Sequence, residues 1–335
     1  MGLTLGVSAQ QEGAALEVKW HPGHYLTLSW GEPREDWSKI AGQPGFVGGQ
    51  RIYMWADLEP QKGRYDFSGI DADLAYLRAQ GQYLVLEVWD NTFLKGQKAL
   101  SDYLLSPEYS GGIAYPEPPP GKVSYVTRAK RWVPAVMDRY LLLVEALGKR
   151  YDGAPNFAGL VHTETAMEMK GQGFEDFSSA GYDEQTRRMV VASRQAFSHT
   201  PVLVYGNWYP YKGPTGLGEL AELARQHGVG WGGPDLVPGK NIWGVDIIRA
   251  NAGKMPLGLA AQWDSYKGQW TARELLDFAV HDLKLNFVFW GNYERKATGG
   301  LSLTQDVIPA VALYPDSLAM DRPANLAVTT DGRGQ

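Results

Sequence analysis

The sequence contains no cysteine, which excludes disulfides, cysteine metal sites and thiol catalysis. It also lacks any apolar run near the roughly 18 residues that a membrane-spanning helix takes. Positive charge is in short supply: Lys and Arg total 32 against 37 Asp and Glu, a formal net charge of -5, and no basic block occurs. Such a chain has no electrostatic footprint for nucleic acid or an anionic membrane, and a neutral partner is expected. HExxH, the P-loop, a GxGxxG that follows a strand and opens a helix, and the GxSxG elbow are missing as well, so metalloprotease, nucleotide and acyl-transfer chemistry have no support and no cofactor is implied. His21 and His24, in HPGH, fall at the start of the first strand, the wrong end of a barrel for a catalytic metal.

What is present is material for a large core: 335 residues, 44% hydrophobic and 21% charged. The opening MGLTLGVSAQQ has a short apolar stretch without a basic region. Residues 1–19 therefore read as a signal-peptide remnant or a flexible terminus, and the expected location is secreted or periplasmic, otherwise cytoplasmic. Residues 321–335 are polar and Gly-rich and read as a tail. No linker or composition break divides residues 20–320, which are expected to form one domain.

Within that span, short β-rich runs alternate with amphipathic helical stretches, the pattern of parallel βα units. Eight runs follow in order: HYLTLSW, QRIYMWADLEP, YLVLEVWDNTF, FAGLVHTET, TPVLVYGNWYP, GVGWGGPDLV, LGLAAQWDSY and NFVFWGNY. The expected fold is α/β, a single (β/α)8 TIM barrel. After the third run, residues 101–130 are rich in Gly, Pro, Ser and Tyr. A long loop there follows a strand end, where a barrel builds its site, and is read as a cleft wall.

The stretch GGQRIYMWADLEPQKGRYDFSGIDADLAYL resembles the second βα unit of clan A glycoside hydrolases, a strand ending in Trp followed by an LEP..G.YDFS.ID turn into a helix. FAGLVHTET resembles the fourth strand of that clan, GNWYP its aromatic fifth-strand end, and NFVFWGNY its eighth strand ending in Trp. The resemblance implies a carbohydrate substrate, an oligo- or polysaccharide, and an acid/base Glu at the end of strand four, which is Glu164 here. Two departures stand out. The residue before Glu164 is Thr163 rather than Asn, and the seventh-strand position of the nucleophile carries Gln262, with Asp264 two residues on.

Glycoside hydrolysis takes two carboxyl groups, one to protonate the leaving oxygen and one to attack or to activate water. A carboxamide has no ionised oxygen, so Asp264 is the candidate for the second role, with other acids at strand ends as alternatives: Asp57, Glu59, Glu87, Asp90, Asp235 and Glu294. Glu87, inside an apolar strand, must face the barrel or a polar partner. Aromatic rings pack on sugar faces, and Trp55, Trp89, Trp208, Trp231, Trp263 and Trp290 all fall near strand ends. The expected binding set is Trp55, Asp57, Trp89, Asp90, His162, Asn207, Trp208, Asp235, Gln262 and Trp290, with Trp290 flooring the sugar site as in the clan it resembles. Two other readings stay open: a noncatalytic carbohydrate-binding barrel, and a polysaccharide lyase or isomerase. Nothing in the pattern sets the oligomeric state.

Overall fold

The computed structural model describes residues 18–326 except 119, 122, 241 and 316. Residues 1–17 of the expected N-terminal segment and 327–335 of the expected polar tail lie outside those residues, while Ala324–Leu326 form a short helical turn with Leu326 buried. Eight parallel strands close into a barrel in sequential order: β1 (Gly23–Leu28), β2 (Phe46–Met54), β3 (Tyr83–Trp89), β4 (Phe157–His162), β5 (Val202–Tyr205), β6 (Gly230–Gly233), β7 (Leu257–Ala261) and β8 (Phe287–Gly291). Between them run outer helices, among them α1 (Ser68–Ala79), α2 (Pro134–Tyr151), α3 (Ser179–Ala196), α4 (Gly213–Gln226) and α5 (Ile242–Asn251). The fold is the (β/α)8 barrel expected from the alternating pattern. No helix among the described residues is long and apolar enough to cross a membrane.

Strand alternation divides the core into two layers. Tyr25, Val85, Ala158, Leu203, Tyr205, Ala260, Phe287 and Phe289 fill the barrel interior. Their strand neighbours, such as Leu26, Leu84, Leu160, Val204, Leu259 and Trp290, pack outward with the helices. β2 begins at Phe46, ahead of the apolar run at Gln50, because Gly48 and Gly49 carry it past tight neighbours. A Cβ on Gly48 would stand 2.0 Å from the Tyr83 carbonyl oxygen, and one on Gly49 would stand 2.3 Å from the Trp37 indole. Only glycine fits both places.

The long segment after β3 is more ordered than its composition suggests. Asn91–Thr92, Thr127–Ala129, Ile113–Pro116 and Gly171–Gln172 form a small antiparallel sheet, so the loops after β3 and β4 share one wall. Ion pairs tie the two loops together: Arg128 grips Glu168 through both Nε and Nη2, at 2.8 and 3.0 Å, and Lys130 pairs with Asp176 at 3.1 Å. This wall stands at the C-terminal end of the strands, on the same side as the functional loops of other barrels.

Candidate active site at the barrel mouth

A cavity of about 360 Å³ opens at the C-terminal mouth, lined by Glu87 and Trp89 from β3, Thr163 and Glu164 after β4, Tyr205, Asp235, Lys240, Gln262 and Tyr293, with Phe93 and Leu94 from the third loop. That is within the range of small-ligand sites. Three carboxyl groups from three different strand ends therefore meet one space.

Glu164 is partly accessible from this cavity. Asn207, at the end of β5, donates its amide Nδ2–H to Glu164 Oε2 at 2.5 Å. An amide thus stands beside Glu164 from the neighbouring strand, although Thr163 before it carries none. Asn207 is held in turn: its N–H donates to Thr165 Oγ1 at 3.1 Å, and Thr165 N–H donates to the Tyr205 carbonyl at 2.9 Å. Burial pushes the Glu164 carboxyl above its ordinary value, opposed by Arg128 and the Asn207 bond and reinforced by Asp235 and Glu168. An upward shift is the direction that suits a proton donor.

Glu87 lies on β3 among apolar neighbours and is 2% exposed. Inward parity aims it into the barrel, where Trp89 Nε1–H donates to Oε1 at 2.5 Å and Gln50 Nε2–H to Oε2 at 3.1 Å. Desolvation raises its carboxyl to about 8, with Glu164 adding to the rise and the Trp89 bond opposing it. Asp235 follows Gly232 and Gly233 and is ion-paired with Lys240 at 2.8 Å. Lys240 also reaches Asp264 at 2.5 Å, and Lys267 meets the other oxygen of Asp264 at 2.5 Å. These lysines hold the Asp264 carboxyl below its usual range, and its side chain is outside the cavity lining. Asp264 is engaged as a clamp between the sixth and seventh loops and is not brought to the cavity that Glu164 faces.

The expected sugar contacts divide sharply. Trp89, Asp235 and Gln262 line the cavity, Asn207 bonds to Glu164 there, and Trp208 is 38% exposed but outside the lining. Trp290 does not: it is 0% exposed, faces the helices by strand parity, and donates its Nε1–H to His24 Nδ1 at 3.0 Å. Phe287 and Phe289 take the inward places instead. His162 is outward by the same parity, with Nδ1 2.9 Å from Tyr140 Oη and Nε2 2.7 Å from Ser193 Oγ. Burial pushes both imidazoles, His24 and His162, down to about 3, so they pack as neutral rings. Trp55 leaves the mouth because the chain turns at once into the helical turn Trp55–Leu58; its ring is buried and donates to Glu59 at 3.1 Å. Asp57 in that turn is exposed and away from the cavity lining.

Asp90 is a brace rather than a sugar ligand. It is buried and accepts from Arg131 Nε at 2.6 Å and Nη2 at 2.5 Å, while Arg131 Nη1 donates to the main-chain oxygen of Glu164 at 3.0 Å. The pair fixes the backbone that presents the acid. Residues absent from the expected set include Tyr205, Tyr293 and Lys240. Tyr205 follows from the inward parity of β5, whereas Lys240 sits in an irregular loop with no periodic signal.

No family model and no curated protein matches this sequence. Solved structures match its fold. Endo-glycoceramidase II from Rhodococcus sp. aligns over 90% of this chain and 79% of its own, with a TM-score of 0.54 and 13% identity. The catalytic domain of the β-amylase from Paenibacillus polymyxa aligns over 81% of this chain and 93% of its own, with a TM-score of 0.57 and 7% identity. The β-galactosidase from the psychrophilic Marinomonas ef1 covers 88% of this chain over 59% of its own, with a TM-score of 0.55 and 9% identity. At these identities the likeness is one of fold alone, that of the (β/α)8 barrel.

Proposed function

We propose that this chain is a glycoside hydrolase of oligo- or polysaccharides in which Glu164 protonates the departing glycosidic oxygen. The observation that carries the reading is the shared cavity: Glu164, oriented by Asn207, faces the same space as Asp235 and Glu87, beside Trp89 and Tyr293. Gln262 lacks the ionised oxygen of a nucleophile. Asp235 is therefore the partner carboxylate, because it lines the cavity and its counter-ion Lys240 comes from its own loop, while Glu87 has no cation to hold it ionised. Whether Asp235 attacks the sugar or activates a water is read from the anomer of the first product: retention for attack, inversion for water.

A second reading has one observation in its favour. With Gln262 in the seventh-strand place and Asp264 clamped by two lysines, the barrel resembles one that holds glycans without cutting them. Glu164→Gln separates the two. Screened on a glycan panel for new reducing ends, with binding followed by calorimetry, the hydrolase loses turnover about a hundred-fold or more and keeps its binding. Wild type that binds glycans and releases no ends establishes the binding barrel, and unchanged turnover in the variant removes Glu164 from the mechanism.

A further inference from the structure

Among the described residues, the cavity lining presents three carboxyl groups, those of Glu87, Glu164 and Asp235, against one cation, Lys240. That cation is already shared between Asp235 and Asp264. Arg128, a further positive charge acting on Glu164, gives its Nε–H and Nη2–H to Glu168. With all three ionised the site would exceed what its own lysine balances, so Glu87 keeps its proton in the empty site and gives it up when a cation arrives.

Glu87 is where the imbalance is sharpest. Thr27 Oγ1–H donates to Gln50 Oε1 at 2.6 Å, which turns the Gln50 amide so that its Nε2–H points at Glu87. Trp89 donates to the other oxygen. Both partners are neutral donors, and both treat Glu87 as an acceptor. A nearly fully buried carboxyl with no counter-ion is costly in its charged form, and the lost hydration is recovered when a cation arrives. Glu87 lines the cavity, which also offers the rings of Trp89, Phe93, Tyr205 and Tyr293, and aromatic faces attract an ammonium group.

Resting on the hydrolase reading above, we propose that the sugar taken at the cavity carries a free amino group and that Glu87 is the specificity-determining residue that pairs with its ammonium. An N-acetylated sugar offers a neutral amide in that place and a plain hexose a hydroxyl. Neither supplies the missing charge. An anionic sugar brings charge of the wrong sign to Glu87 and is disfavoured.

The test is calorimetric binding to the full-length protein carrying Glu164→Gln, so that ligands are not consumed. Probes are oligomers of glucosamine and of galactosamine, each beside its N-acetylated form and its neutral hexose counterpart. One of the free-amine series binds about ten-fold or more tighter than its two counterparts, as a desolvated charge pair supplies. Adding Glu87→Gln brings that preference to about two-fold or less and leaves affinity for the neutral oligomers within about three-fold. The variant is compatible with the fold, since the Gln50 amide and the Thr27 hydroxyl can turn over together to accept its new N–H. Equal or tighter binding of neutral or N-acetylated oligomers overturns the amino-sugar assignment while leaving the carbohydrate site standing. A preference that persists in Glu87→Gln overturns the role of Glu87. Failure of every glycan to bind overturns both the inference and the reading beneath it.

Discussion

Glu87 makes an unusual demand on stability that pH exposes. Its carboxyl is raised from the ordinary value of 4.5 to about 8, chiefly by desolvation. Between those values the folded protein keeps a proton that the unfolded chain gives up. The stabilisation from this group is complete below about pH 4.5 and is lost as pH rises through about 8. From pH 6 to pH 9 the loss amounts to about 3 kcal/mol, most of a shift worth about 5 kcal/mol in all. Glu87→Gln has no proton to lose. Urea unfolding of wild type and variant at pH 6, 7, 8 and 9 measures the difference directly, and the variant gains on wild type by about 3 kcal/mol across the window. Lys19, which burial pushes down to about 8, titrates in the same window in both proteins and cancels in the comparison. Parallel pH profiles for the two proteins refute the claim that Glu87 is folded in its protonated form.

Other perturbations read other parts of the site. Asp90→Ala leaves Arg131 buried without its counter-ion, so thermal and urea unfolding should show a loss of about 3 to 5 kcal/mol, with weakened turnover because Arg131 also holds the Glu164 carbonyl. Gly206→Ala puts a Cβ 2.0 Å from the Trp231 ring, next to Asn207, and is expected to cost about 1 to 3 kcal/mol in unfolding measurements and to lower kcat. Gly218→Ala, in helix α4 with nothing within 4 Å of the added Cβ, is the matched control and leaves both stability and turnover intact or slightly improves stability. Asp235→Asn lowers kcat about a hundred-fold or more with a small change in KM, measured on any substrate the wild type cleaves.

Much of this architecture was legible because each strand is a short β-rich run followed by a helix with apolar residues at three- and four-residue spacing. The position of Glu164 at the end of β4 was legible for the same reason. Parity was legible too, yet easily overlooked: Phe287 and Phe289 claim the inward places of β8, so Val288 between them and Trp290 beyond them must face the helices. The same alternation turns His162 outward and Glu87 inward. Other features depend on contacts that no local pattern carries. The Asp90–Arg131 brace joins residues 41 positions apart. The small sheet pairs Tyr115 with Gln172 through strands of two to four residues, too short for any periodicity to register. Lys240 reaches Asp235 within its own loop and Asp264 in the next, a clamp that only the fold brings together.

The central claim is that Glu164 hands its proton to the departing oxygen, and leaving-group chemistry tests it most directly. The measurement is kcat/KM of wild type and Glu164→Gln on two substrates with the same sugar, one with a natural glycosidic bond and one with an aryl group that departs readily without protonation. Proton donation from Glu164 predicts a loss of about a hundred-fold or more on the natural bond and a far smaller loss on the aryl glycoside. Equal losses on both substrates, or none on either, contradict it.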